Sequence, residues 1–200
     1  MAQDGYWNHN VHYQPVILRA VPPRCGQALD VGCGDGMLAC RLAEHCTEVT
    51  GIDRDTRMIG LARERAQAHR GHVSFAEADF LASPLPDASF DFVCANTSLH
   101  HMDFAAALTE MARVLRPGGN LAVIGLASNG SITDFAPELP AAPVNLFYRV
   151  VYHEGDSGAP VKDPDMTWGQ VRATATALLP GVRYRRLLLW RYSLLWTKTD

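Results

Sequence analysis

Residues suited to chemistry cluster at four places in this chain. In Ala28–Ala43, ALDVGCGDGMLACRLA, the glycines Gly32, Gly34 and Gly36 alternate between an apolar run and a stretch with helical spacing, and Asp30 precedes them. Glycines closing a strand let backbone approach a ligand with no Cβ in the way. Asp53 ends the next apolar run, in TGIDRD, and Asp79-Phe80 follows a third. An acid at the end of a second strand can accept from both ribose hydroxyls of a nucleotide. Asn96 and the pair His100-His101 follow a fourth run, in ANTSLHHMD. An imidazole at a strand end suits a general base that deprotonates a hydroxyl, an amine or an acidic carbon. Taken singly, Asp53 reads equally as a helix N-cap, Asp79 as a turn residue and either histidine as a locally packed ring. Adjacent histidines without further ligands do not make a metal site, and none is expected.

Two phosphate-binding patterns fail on the glycines. A dinucleotide fingerprint needs glycine or alanine where Met37 stands. A P-loop needs Gly-Lys followed by Ser or Thr, and none follows.

The elements that must position these groups alternate. Short strands are expected at Gln27–Val31, Glu48–Ile52, His72–Ala76, Phe90–Cys94 and Leu121–Leu126. Helices are expected at Pro15–Val21, Met37–Cys46, Thr56–His69 with Met58, Ile59 and Ala62 on one face, and Phe104–Leu115 capped by Asp103. Arg116-Pro-Gly-Gly119 reads as a turn. A further helix over Thr167–Leu179 and two strands turning near Trp190-Arg191 close the chain. Strands alternating with helices imply an α/β fold with a parallel sheet, whose ligands sit at the carboxyl ends of the strands. Each polar residue singled out above falls at such an end.

The run LDVGCGDG, Asp53 and Asp79-Phe80, with FDFVCANTSLHHM and VLRPGGNLAV, resembles the class I S-adenosylmethionine-dependent methyltransferases over about Gln27–Leu126. The resemblance implies a Rossmann-like, doubly wound sheet of seven strands, mostly parallel with an antiparallel last strand and helices on both faces. It implies S-adenosylmethionine as cofactor and S-adenosylhomocysteine as product. Gly32, Cys33, Gly34 and Gly36 would then lie along the methionine portion, with Asp30 near its amino group. Asp53 would hold the ribose, flanked by Arg54 and Met58; Asp79 and Phe80 would meet the adenine; Asn96 would approach the sulfonium. The other readings of the chain are an NAD-dependent oxidoreductase, disfavoured by Met37, and a non-catalytic binding domain of the same fold.

The remaining segments suggest how the site is covered. Residues 1–25 include YWNHNVHYQP, dense in aromatic and imidazole groups, and are expected either to cap the cofactor through Tyr6, His9, His12 and Tyr13 or to form a helix packed on the sheet with its histidines solvated. Residues 127–168 break the α/β rhythm yet carry their own apolar side chains, as a lid over the acceptor would. That content suggests an apolar or aromatic small-molecule acceptor, or equally the lid's own core. Arg183, Arg185, Arg186 and Arg191 form the one basic cluster, read as a solvated edge strand. With a net charge of −3 and no Asn/Asp-Pro-Pro-aromatic motif after the fourth strand, a nucleic-acid substrate is not expected. The five cysteines, odd in number and without C-x-x-C, read as small buried hydrophobes. The start lacks a signal-peptide pattern and no apolar run spans a bilayer, so no membrane association and a cytoplasmic setting are expected.

Overall fold

A computed structural model describes residues 8–67, 72–130, 158 and 162–199 of the chain. Tyr6 and residues 131–157 and 159–161 of the 127–168 segment lie outside the described residues.

Helix α1 (His9–Leu18) leads into β1 (Cys25–Val31), α2 (Met37–Leu42), β2 (Cys46–Asp53), α3 (Thr56–Ala66) and β3 (Val73–Glu77). A 3-10 turn at Phe80–Ala82 precedes β4 (Phe90–Asn96). A second at Leu99–His101 leads to α4 (Phe104–Val114) and β5 (Leu115–Leu126). Helix α5 (Trp168–Leu178) and strands β6 (Arg183–Leu187) and β7 (Arg191–Thr197) complete the order. All seven strands form one sheet in the order β3-β2-β1-β4-β5-β7-β6. The first five are mutually parallel, and β7 runs antiparallel to both β5 and β6. The doubly wound, Rossmann-like architecture is therefore present, antiparallel strand included.

Alternation along the central strands supplies two cores. Leu29, Val93, Leu121 and Val123 face α4 and α5; Ala28, Phe92, Ala122 and Ile124 face α1 and α2. These positions are shielded on both faces, as a parallel sheet requires. The expected face of α3, with Met58, Ile59 and Ala62, is buried, and Asp103 caps α4 by accepting from the Ala106 amide at 2.8 Å. All five cysteines are free and buried, as expected of small hydrophobes. No helix among the described residues is long and apolar enough to cross a membrane.

Most boundaries shift by one to three residues, and three differ by more, each for a local reason. Helix α1 begins at His9 because Asn8 caps it, its side chain accepting from the amides of Asn10 and Val11. Pro15 therefore sits inside the helix, exposed, where its missing N–H leaves the carbonyl of Val11 without its usual helical donor. Helix α2 stops at Leu42 because Cys46 already pairs with Cys25 in the sheet. The Arg116-Pro-Gly-Gly119 stretch is a register irregularity inside β5, since Phe90 pairs with Leu115 while Phe92 pairs with Asn120.

Gly36, expected at the cofactor, serves the fold. Its φ is +76°, and an added Cβ would lie 2.7 Å from Phe75 Cζ and 2.9 Å from Ala62 Cβ. Replacing it by alanine combines left-handed strain with overpacking, and Gly36→Ala is expected to cost about 2–4 kcal/mol. Urea denaturation of the purified variant measures that loss.

Candidate active site

Strand order reverses direction between β1 and β4, the point at which open α/β sheets bind ligands. A cavity of about 460 Å³ opens there. It gathers Asp30, Gly32, Cys33, Gly34, Asp53, Arg54, Met58, Asp79, Phe80, Asn96, His100 and His101 from separate strand ends. Four expected residues are elsewhere: Gly36 packs under α3, and His9, His12 and Tyr13 are not on the cavity wall. The phase of α1 turns Asn10, Val11 and Gln14 toward the cavity instead, while the His12 ring meets the edge of Tyr13 at 4.8 Å. Tyr13 is occupied elsewhere, its hydroxyl donating to Leu188 O at 3.0 Å.

The glycine turn is shaped by neighbours as well as by conformation. Gly32 has φ +68°, and a Cβ on it would lie 2.3 Å from Ser98 Cβ. Ser98 is fixed above it by donating to Val31 O at 2.6 Å. The residue before it, Thr97, takes φ +58°, an uncommon state for a β-branched side chain and one that turns the chain sharply past Asn96. Gly34 has φ +52° and open space where a Cβ would stand. Its amide donates to Asp53 Oδ2 at 2.9 Å, and the Asp55 amide donates to Asp53 Oδ1 at 2.9 Å. Asp53 is thus pinned from two sides and is not the helix cap; Asp55 caps α3. Asp79 does both things expected of it: Oδ1 accepts from the Leu81 amide at 3.0 Å, and the residue still lines the cavity. Phe80 beside it is buried.

Charge in the cavity is unevenly compensated. Asp30 is 1% exposed; the Cys94 thiol reaches its Oδ1 at 3.7 Å, and Oδ2 has no partner among the described residues. Burial, reinforced by Asp53 and Asp35, pushes its pKa up to about 7. An orphaned carboxylate oxygen on a cavity wall fits an ammonium group. Burial likewise pushes the Cys33 thiol up, so it stays neutral. The His100 and His101 rings lie 4.1 Å apart. Burial first, then His101, Lys162 and Arg191, lowers the His100 pKa to about 4; its Nδ1 is buried with no partner among the described residues. His101 is also lowered, by burial and then by Arg54 and Lys162.

Lys162 and Arg191 also line the cavity, and neither was singled out for it from the sequence. Arg191 departs from the solvated cluster expected of it: it is 8% exposed, whereas Arg183 and Arg185 are exposed on edge strand β6. A second cavity of about 340 Å³ meets the first at His100, Met102 and Leu126, with Phe104, Met166, Val171 and Tyr192 among its walls.

Residues 29–123 match the family described as a methyltransferase domain. An uncharacterized methyltransferase of Mycobacterium tuberculosis is 35% identical over 195 residues, covering 96% of this chain and 98% of the relative. The demethylmenaquinone methyltransferase of Thermus thermophilus is 39% identical over 140 residues, 68% of this chain and 58% of the relative. Among solved structures, phosphoethanolamine N-methyltransferase 2 of Haemonchus contortus, bound to phosphomonomethylethanolamine and S-adenosylhomocysteine, superposes with a TM-score of 0.64. It is 21% identical, over 87% of this chain and 38% of that one.

A carboxylate whose folded pKa is raised gives no penalty below its unfolded value near 3.8, a growing one between 3.8 and about 7, and a constant one above. The free protein should therefore carry up to ~4 kcal/mol of desolvation penalty from Asp30 at pH 8 that is largely absent at pH 4. Asp30→Asn removes it, so the stability of the variant relative to the original should rise from pH 4 to about pH 7 and level off above. Urea midpoints at stepped pH check the trend.

Proposed function

The chain belongs to the class I S-adenosylmethionine-dependent methyltransferases, and from that premise we propose that it methylates an O, N or C atom of a small apolar or aromatic molecule. The observation that carries the reading is the pairing, in one cavity, of an orphaned buried oxygen on Asp30 with the Asp53 carboxylate pinned against Gly34. The first suits an amino group and the second a ribose diol. When bound, S-adenosylmethionine supplies a methyl group already activated on a sulfonium, and S-adenosylhomocysteine remains.

The residues of the chain then have mainly to bind and align. Gly32 and Gly34 leave room for the methionine portion; Asp53 accepts from the ribose hydroxyls, with Arg54 and Met58 beside them. Asp79 accepts from the adenine amino group, and Phe80 packs on the ring. Asn96, whose side-chain amide donates to Asn10 O at 3.2 Å, ties the end of β4 to the N-terminal helix near the sulfonium. That tie supports the reading of residues 1–25 as a cap; residues 127–168 would complete the cover. Holding a nucleophile in line with the methyl can itself supply roughly 7–11 kcal/mol.

The second cavity is the acceptor chamber in this reading, its Met, Leu, Phe and Val walls suited to an apolar body. His100 stands where the two cavities join. With its pKa lowered to about 4 it is neutral at physiological pH, a weak base whose Nδ1 can accept the proton that an acidic acceptor hydroxyl, such as a phenol, loses as the methyl transfers. His101 is the alternative base. The name of the Thermus thermophilus relative, which specifies demethylmenaquinone, and the net charge of −3 support a small-molecule acceptor over a nucleic acid.

Removing a carboxylate that makes charge-assisted bonds worth about 1.5–3 kcal/mol each should weaken S-adenosylhomocysteine binding about 100-fold in Asp53→Ala. Calorimetric titration reads this, with a melting curve to verify the fold; unchanged affinity removes the ribose assignment. For the base, His100→Ala should lower turnover at least about 100-fold with cofactor affinity unchanged. Full turnover in both His100→Ala and His101→Ala would exclude proton abstraction by either ring.

A further inference from the structure

Arg191 is a buried cation whose chemistry the methyl-transfer reading leaves unused. Its guanidinium spends one N–H on Leu189 O at 2.6 Å and one on Asn10 Oδ1 at 2.7 Å, and Nε, although buried, has no partner among the described residues. A guanidinium has five N–H donors, so most of this fork is unused among the described residues. No carboxylate pairs with it there. The other cavity cations differ: Lys162 is paired with Asp165 at 2.5 Å, and Arg54 is exposed. Burying a guanidinium without a counter-charge costs stability, a cost that a bound anion relieves.

The backbone holds it in place at further expense. Leu189 and Trp190, which join β6 to β7, take φ values of +61° and +57°, the left-handed region that non-glycine residues rarely enter. Buried Leu189 and the bond from Tyr13 to Leu188 O secure this turn, and Arg191 is the first residue after it.

Position separates this cation from the amino-acid end of the cofactor. Arg191 lies on β7, three strands from Asp30 on β1, roughly 14 Å across the sheet at about 4.8 Å per strand. An amino acid carries both charges on one carbon, so an ammonium held by Asp30 keeps its carboxylate near β1 and β4. The register partner of Arg191 is Leu126, which belongs to both cavities. Arg191 also acts on the charge state of His100. The cation therefore stands at the acceptor end.

We propose that Arg191 is an anion-binding residue of the acceptor site, and that the methyl acceptor is a small apolar acid whose carboxylate sits on this guanidinium. The inference rests on the methyl-transfer reading for the identity of the acceptor end, but the anion site can be tested without cofactor. Planar two-point donation to a carboxylate is what distinguishes arginine from lysine in such a role.

Benzoate and its neutral isostere benzamide are the probes, followed by ligand-observed NMR with and without S-adenosylhomocysteine. The protein should prefer benzoate by at least tenfold, and Arg191→Gln should abolish the preference while S-adenosylhomocysteine affinity stays within twofold. A merely structural arginine tying α1 to the hairpin would give no such discrimination. Should Arg191→Gln not fold, Arg191→Lys is read in the same way, with a severalfold loss of preference expected. Equal binding of the two probes to the original protein, or a preference that survives the substitution, overturns the proposal. So does a loss of S-adenosylhomocysteine affinity in the variant with 5′-methylthioadenosine affinity unchanged, which would assign Arg191 to the cofactor's own carboxylate. Failure of the original protein to bind S-adenosylhomocysteine counts against the methyl-transfer reading, while the benzoate comparison on the free protein still decides the anion site.

Discussion

The site depends on the turn between β1 and α2 and on the carboxylate that holds it. Gly32 and Gly34 both take positive φ, and the Gly34 amide is fastened to Asp53 at the end of the neighbouring strand. Through that bond the ends of β1 and β2 act as one piece. Ser98, packed where Gly32 has no Cβ and bonded to Val31 O, ties β4 to the same turn. Three parallel strands are thereby aligned at their carboxyl ends by a few short polar contacts, and the cavity is the space they enclose.

Within that frame, unfavourable charge is placed before any ligand arrives. Among the described residues Asp30 is buried with one oxygen unpartnered and Arg191 is buried without a carboxylate, the two lying three strands apart. Each costs stability in the free protein and gains from a ligand of the opposite sign. Preorganised groups of this kind cost little reorganisation when the ligand binds, which is how a rigid sheet converts folding energy into recognition. His100, between them, is kept neutral by the same burial.

How much of this was legible in the sequence follows from which signals are local. A strand buried on both faces must be an apolar run, and a turn with positive φ favours glycine, so the strands, their order of function and the residues at their ends could be read directly. Asp53 and Asp79 were assignable because they sit at or within three residues of the ends of such runs. The starts at Met37, Thr56 and Phe104 were read directly, and only that of α1 was hidden. Pro15 looks like the first turn of a helix, yet Asn8 caps it seven residues earlier, and the error carried His12 onto the cavity in place of Asn10 and Gln14. Arg191 was hidden for a different reason. Its neighbours in sequence, Arg185 and Arg186, share its chemistry, and only the placement of β7 between β5 and β6, under α1, buries one and leaves Arg185 in water. Burial of that kind is a property of the sheet order and has no local signature.

The central claim is that the glycine turn and its two acids form a nucleoside site specific for S-adenosylmethionine chemistry. Parallel calorimetric titrations of the purified protein with S-adenosylhomocysteine and with NAD test it most directly. The account predicts one-to-one binding of S-adenosylhomocysteine and none of NAD at the same concentrations. Binding of NAD with no heat from S-adenosylhomocysteine would contradict it.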